Sequence, residues 1–526
     1  MSVKNLGLVV VCHQPFIHET LEEEQLPPSQ YDILFTAISE TYIPLLNLLG
    51  KIENQKINAK FSIVLSPTLC AMLSDENTKL QYVSFLDRQI ALGESEILRL
   101  KDNPSLLNVA KECLEKAKNN KEDFTNKFKS NLIGEFARFS LIGLIEILGT
   151  TGTFAFLPHY ADMEEILNAQ IETGINSHKK YFGIAPDGFY LPYNGYTKGI
   201  ERVLRSYGIS YTILDSRSVL FNEQTPQNGI FYPIRLWNSL SVFIDDSACS
   251  LTLNNKENGL FNSKCYKDQN KDIGFDLSSQ QLKDFFPPET PRSNTLFRYY
   301  SKNNDKTEVY NKEIAVVQAK NDAKSFLKMQ NEKLEKAEKL IEKSANLFVT
   351  IDAKYLGQAF AEGMDFFEEV LTSNTDSTFI TPSELLSERF SFERLDARFS
   401  SSSGTGYGED LLDSSNSWML FYTRKMCERM IELAERFPDD SGLKERLLNL
   451  GAKEVLLAQS GEISKMLHSG FMSDFAKESF DSYVLSFTTV FDSLGSNIVS
   501  TEWLTKLEKK HDIFPWMNYK IFAKKH

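Results

Sequence analysis

Short apolar runs, spaced along the chain with helical stretches between them, constrain this sequence more than any other feature. "LGLVVV" (6–11), "KFSIVLS" (60–66), "YTILD" (211–215) and "LFVTIDA" (347–353) each have the length and content of a buried strand. Amphipathic segments such as "YDILFTAISETYIPLLNLLGKI" (31–52) and "GIERVLRSYG" (199–208) lie between them. This alternation predicts an α/β fold built on a parallel sheet or barrel. In such folds chemistry gathers where strands end. Four clusters, "HQPF", "LPHY", "LPYNGY" and "IDAKYLG", each follow an apolar run, so one shared pocket is expected.

The other segments differ in pattern. Residues 78–130 carry helical periodicity and many charges, and read as a helical insertion over the barrel mouth. Residues 317–346 read as a long helix with a solvated charged face. "RFSSSSGTGYGEDLLDSSNS" (398–417) is rich in Ser and Gly, and is either a flexible linker or a loop closing over a site. Beyond it, apolar residues recur at helical spacing almost to the end. The expected division is a barrel domain over 1–395, with the insertion at about 78–130, and a helical domain over 396–526.

Several function classes are excluded by composition. A net charge of −13 leaves nothing to neutralise phosphates, so nucleic acid is not an expected partner. The six cysteines form no CxxC pair, which favours reduced thiols and a cytoplasmic protein. The N-terminal apolar run is too short for a membrane span and lacks a signal-peptide pattern. The seven histidines show neither HxH nor HxxxH spacing, so no metal is expected. There is no phosphate-binding glycine loop and no GxSxG elbow, and no cofactor is implied. Nothing in the sequence sets an oligomeric state.

What remains is carboxylates and aromatics. "FGIAPDGFYLPYNGY" (182–196) reads as the end of a buried strand opening into a loop with Tyr190, Tyr193 and Tyr196 but no acid at its tip. Asp352 ends a strand, where partial burial suits a general acid, and it equally suits the cap of the helix that follows. Asp215 ends "YTILD" and has the same two readings. Glu146, flanked by apolar residues, is either a structural partner or part of the site.

These motifs resemble glycoside hydrolase family 57, whose members include 1,4-α-glucan branching enzymes and 4-α-glucanotransferases. "HQPF" (13–16), "GLIEILGTTGTFAFLP" (143–158), "PDGFYLPYNGY" (186–196), "FVTIDAKYLGQAFAEG" (348–363) and "SSSG" (401–404) with Trp418 follow the order of the five family motifs. The resemblance covers essentially the whole chain. It implies an incomplete (β/α)7 barrel with a helical insertion and a C-terminal all-helical domain.

It also implies a site whose parts have changed. The third family motif runs Trp-Leu-Pro-Glu-Cys-Gly/Ala-Tyr, with Glu as nucleophile. Here Tyr190 stands for the Trp, Tyr193 for the Glu and Asn194 for the Cys. The Thr-His of the second motif is Thr153-Phe154, and the Trp of the fifth is Ser403. The acid survives as Asp352, followed by Lys354 and Gln358. The substrate-facing Val-Trp falls at Leu251-Thr252, and the Gly-Tyr-Pro-Gly after it is "GLFN" (259–262). A phenol has a pKa near 10 against roughly 4.3 for Glu, so Tyr193 makes a poor nucleophile unless a base activates it.

The implied reading is a pseudoenzyme of α-glucan metabolism, without retaining hydrolase or branching activity, that keeps an α-glucan or oligosaccharide ligand. His13, Gln14, Tyr190 and Trp418 are its candidate binding residues. One alternative is altered chemistry, with Tyr193 as nucleophile helped by Glu146 or Asp215, or an inverting reaction through Asp352. The other is an interaction scaffold that no longer binds sugar.

Overall fold

The structure, a computed structural model, describes residues 4–18, 32–254, 259–283, 285–286, 292–303, 308–496 and 498–525. The described residues form ten strands: β1 (Lys4–Cys12), β2 (Phe61–Leu65), β3 (Ile145–Leu148), β4 (Gly188–Tyr190), β5 (Tyr211–Asp215), β6 (Ile234–Arg235), β7 (Ser241–Asp245), β8 (Ala345–Asp352), β9 (Thr378–Phe379) and β10 (Glu393–Arg394). Seven of them, β1 to β5 with β7 and β8, run parallel round a nearly closed barrel. Two joints are thin. β3 meets β4 only at the Gly149–Phe189 bridge, and β7 meets β8 only at Asp245 with Phe348. β6 lies antiparallel on β7, β10 extends β6, and β9 pairs with the start of β1.

The period-2 pattern sorts side chains to the two faces. Val9 and Val11 of β1 join Val64, Leu148, Ile213, Phe243 and Phe348 inside the barrel, whereas Leu6, Leu8 and Val10 pack outward in the larger core under the helices. Aromatic rings fill the interior, with Phe243 edge-on to both Tyr211 and Phe348 at 5.2 and 5.0 Å. Gly7 allows this, because a Cβ there would lie 2.3 Å from the Phe348 ring.

Three barrel strands fall outside the four apolar runs read from the sequence: β7 is five residues, and β3 and β4 are shorter. β3 is four residues with Glu146 inside it, and β4 is three. Phe182 belongs to a helix, Glu164–Phe182, and the strand end expected within 182–196 is only Gly188–Tyr190. The helix expected over 317–346 spans Lys312–Glu338, and β8 begins at Ala345. The charged insertion forms two helices, Glu76–Arg99 and Pro104–Glu122. They pack on the helical stretch Asp32–Gln55 through Ser39–Tyr82 and Glu40–Lys116 bonds. That stretch is long and apolar enough to cross a membrane by length and composition, and most of it is buried in the fold.

Helices Ser417–Arg436, Leu443–Ala458, Gly461–Ser469, Ser473–Ser496 and Thr501–Lys510 follow the barrel. Gln170, fully buried, joins the two regions. Its amide nitrogen donates to Thr153 Oγ1 at 2.9 Å and Gln459 Oε1 at 2.7 Å, and its oxygen accepts the Thr153 N–H. Thr153 Oγ1 in turn donates to the Leu456 carbonyl.

Candidate active site

Loops after β1, β3 and β4 meet on one ring. His13 lies flat against Phe154, centroids 4.0 Å apart and planes 11° apart. The same phenylalanine stacks near Tyr190 at 6.4 Å and takes Tyr193 edge-on at 5.3 Å. His13 Nδ1 hydrogen-bonds Ser66 Oγ at 2.9 Å, while Nε2 is buried without a partner among the described residues. Burial holds its pKa down to about 3, although Asp352 pulls the other way. The ring is therefore neutral at pH 7.

Asp352 ends β8 with its side chain 49% exposed, so the insertion does not seal it. The capping reading of this residue holds, for the turn that follows it. Oδ1 accepts the Lys354 N–H at 3.0 Å, capping the turn Ala353–Leu356, and Oδ2 lies 3.1 Å from Lys354 Nζ. The carboxylate is the main cause that pushes the Lys354 pKa up, so the ammonium stays charged.

Tyr193 sits in the left-handed region, φ 57° and ψ 24°, and Asn194 follows at φ 48°. Non-glycine residues there cost of order 1 kcal/mol each and persist only when their surroundings fix them. Here the 398–417 segment does so, folded against the site rather than away from it. Ser402 N–H and Ser401 Oγ both donate to the Tyr193 carbonyl, at 2.7 and 2.9 Å. The Tyr193 hydroxyl donates to Glu462 Oε2 at 3.2 Å, and the Lys465 ammonium lies 4.5 Å over its ring. Burial first, then the Glu462 charge, pushes the phenol well above its ordinary value.

Glu462 was not singled out by the sequence. It lies in the first turn of Gly461–Ser469, half-buried, beside Gly461, where a Cβ would stand 2.6 Å from Tyr193 Cε2. Burial raises its pKa, Lys465 and Lys354 lower it, and Asp352 raises it. The site is thus a charge-alternating cluster of Asp352, Lys354, Glu462 and Lys465 around a protonated phenol. Lys465 continues to Asp410 at 3.5 Å, which accepts from Ser403 Oγ at 2.8 Å. Both amide atoms of buried Asn194 lack a partner among the described residues.

Beneath the cleft, Asp245 was also missed, although "SVFID" ends as "YTILD" does. It is 1% exposed, accepts the Thr350 N–H at 2.6 Å, and burial raises its pKa to about 7. Asp215, its register partner, is clamped by the Arg217 guanidinium at 2.8 Å on each oxygen. Glu146 accepts from Tyr211 at 2.5 Å, at the start of β5, and neighbours Ser383 beyond β9, so it serves the closed end of the barrel. Gln14 is buried beside Tyr42, and its carbonyl accepts from Thr68. Trp418 packs edge-on against Phe480 at 5.3 Å and donates to the Ser415 carbonyl, within the helical region. Gln358 reaches Thr41 at 3.4 Å. The side chains of Leu251 and Thr252 lie outside the described residues. No group of three or more His, Cys, Asp or Glu able to hold a metal occurs among the described residues.

Comparison with known proteins agrees with this architecture. Residues 8–388 match glycosyl hydrolase family 57, and residues 422–522 match the C-terminal region of 1,4-alpha-glucan branching enzymes. A 1,4-alpha-glucan branching enzyme of Thermococcus kodakarensis is 20% identical over 502 residues, covering 90% of this chain and 71% of that protein. The crystal structure of an alpha-amylase from Thermotoga maritima superposes with a TM-score of 0.91 at 25% identity over the whole of both chains. A branching enzyme of the same type from Pyrococcus horikoshii gives 0.86 at 20% identity, over 100% of this chain and 98% of that one.

Proposed function

The chain belongs to glycosyl hydrolase family 57, and from that premise we propose that it serves α-glucan metabolism by binding a glucan or related oligosaccharide at the Asp352 cleft without double-displacement chemistry. The observation that carries this reading is the state of Tyr193. Retaining glycosidases use two carboxyl groups about 5–5.5 Å apart, one attacking and one donating a proton. By the family resemblance Tyr193 occupies the attacking position, and its phenol keeps its proton and gives its hydrogen bond to Glu462. Loss of a residue that acts within a catalytic unit costs about 10⁴–10⁶-fold in rate. Hydrogen-bonding capacity for a polyol remains in His13 Nε2 and the Asn194 amide, with Asp352 and Lys354 half exposed at the rim. The branching-enzyme C-terminal match supports a glucan as ligand. Six unpaired thiols support a reducing, cytoplasmic setting.

Glu462 favours a second reading. It brings a carboxyl into electrostatic reach of Asp352, and an acid with a raised pKa beside an ion-paired carboxylate is the division of labour that inverting hydrolysis uses.

One experiment separates the two. The purified protein is incubated with amylose, maltooligosaccharides and glycogen, and products are followed by chain-length profile, α-1,6 linkage content and reducing ends. Ligand binding with none of these products is expected. Reducing ends of inverted configuration that vanish in both Glu462→Gln and Asp352→Asn establish the second reading. New linkages or retained configuration overturn both.

A further inference from the structure

The segment that closes on Tyr193 also carries something the cleft does not use. Phe399 and Tyr407 are 39% and 65% exposed. Their rings are nevertheless parallel, 9° apart, with centroids 6.2 Å apart. That spacing is an offset stack, in which the rings overlap only in part. Nearby, Phe221 is 67% exposed, and the two strips of chain run together: Arg398 N–H donates to the Ser218 carbonyl, and Asn222 to that of Asp396.

The loop bearing these rings is fixed from below. Arg217, gripped by buried Asp215, donates to the Ser401 and Thr405 carbonyls. Gly406, at φ 123°, lies so close to this guanidinium that a Cβ would stand 2.1 Å from Nη1. Ser401 N–H donates to Gly406 at 2.9 Å, and the Glu409 carboxylate accepts from Thr405 N–H. A surface that is already ordered loses little entropy when it binds.

We propose that Phe399 and Tyr407 form an outer docking platform for an α-1,4-linked glucan chain, separate from the cleft but reached from it along the 398–408 segment. This rests on the glucan reading of the family. Exposed parallel rings suit flat ligands with an apolar face. A nucleic-acid strand stacks in the same way but needs a cationic track, and the net charge is −13. A protein partner calls for a continuous apolar patch. Here the rings are bordered by the Arg398–Glu223 ion pair and by Asn222, groups that suit sugar hydroxyls.

The test uses the full chain and two readouts. Native gels containing glycogen report polymer binding, and calorimetry with maltotriose reports the cleft. Both rings are exposed, so Phe399→Ala/Tyr407→Ala should melt like the parent. Its apparent Kd for glycogen is expected to rise by roughly tenfold or more, about 1.4 kcal/mol, while maltotriose binding shifts less than twofold. Equal retardation of parent and variant, or no retardation of the parent, overturns the platform. Platform-dependent retardation without maltotriose binding upholds the platform and removes the cleft reading alone.

Discussion

Tyr193 is not a glutamate awaiting repair. Its hydroxyl meets Glu462 at 3.2 Å, so a carboxylate placed there would face another across a half-buried gap, where like charges disfavour each other. Tyr193→Glu is therefore expected to lower the melting temperature and to yield no glucan transfer. Adding Glu462→Gln should recover stability, and transfer activity in Tyr193→Glu alone would refute this account. Asp245 gives a pH signature. Its native pKa of about 7 exceeds the ordinary carboxyl value of 3.8. Between those values the folded state holds a proton that the unfolded chain releases, so stability falls as pH rises through that window. Asp245→Asn removes this slope, and melting curves at pH 4 to 7.5 should show the variant gaining on the parent as pH rises. Parallel curves would sink the assignment.

At the scale of elements, the site is made where segments distant in sequence touch. Gly461 and Tyr193 are complementary: one lacks the Cβ whose space the other's ring fills. Gly461→Ala should cost about 1–3 kcal/mol, as overpacking does, and most of that cost should disappear in a Tyr193→Ala background. Additive effects in the double-mutant cycle would contradict the fit. The 398–408 segment depends on Arg217 in the same way. Removing it leaves Asp215 buried and unpaired, a loss of about 3–5 kcal/mol, and amide exchange over 401–408 should quicken by more than the global loss explains. These contacts mark the limit of what the sequence discloses. β1, β2, β5 and β8 were legible because buried strands are continuous apolar runs, and the C-terminal helices because their periodicity persists. β4 is three residues long, too short for its pattern to fix the bounds of the strand end expected in 182–196. Glu462 meets Tyr193 across 269 residues, and no local pattern encodes such a meeting.

At the scale of the molecule, the barrel is expected not to stand without the helical region. It is joined by single pairs at two seams. The loops above β3 and β4, with Gln170 of the helix between them, give their polar groups to the helical region: Thr153 and Gln170 to Leu456 and Gln459, and Tyr193 to Glu462. Without those helices the buried donors lose partners, at about 1–3 kcal/mol each, and the Phe154–Tyr193 cluster faces water. A single native stability of about 5–15 kcal/mol does not absorb several such losses. A fragment ending at residue 416 should therefore be insoluble or bind hydrophobic dye, and the full chain should melt in one transition that tracks loss of helical and aromatic signals together. The cleft and its integrity are then one property: any ligand held at Asp352 must raise the melting temperature of the whole chain, not of the barrel alone. Two separable transitions, or a soluble barrel fragment with native circular dichroism, would show that the helical region is an appendage and that Glu462 reaches the site without being required there.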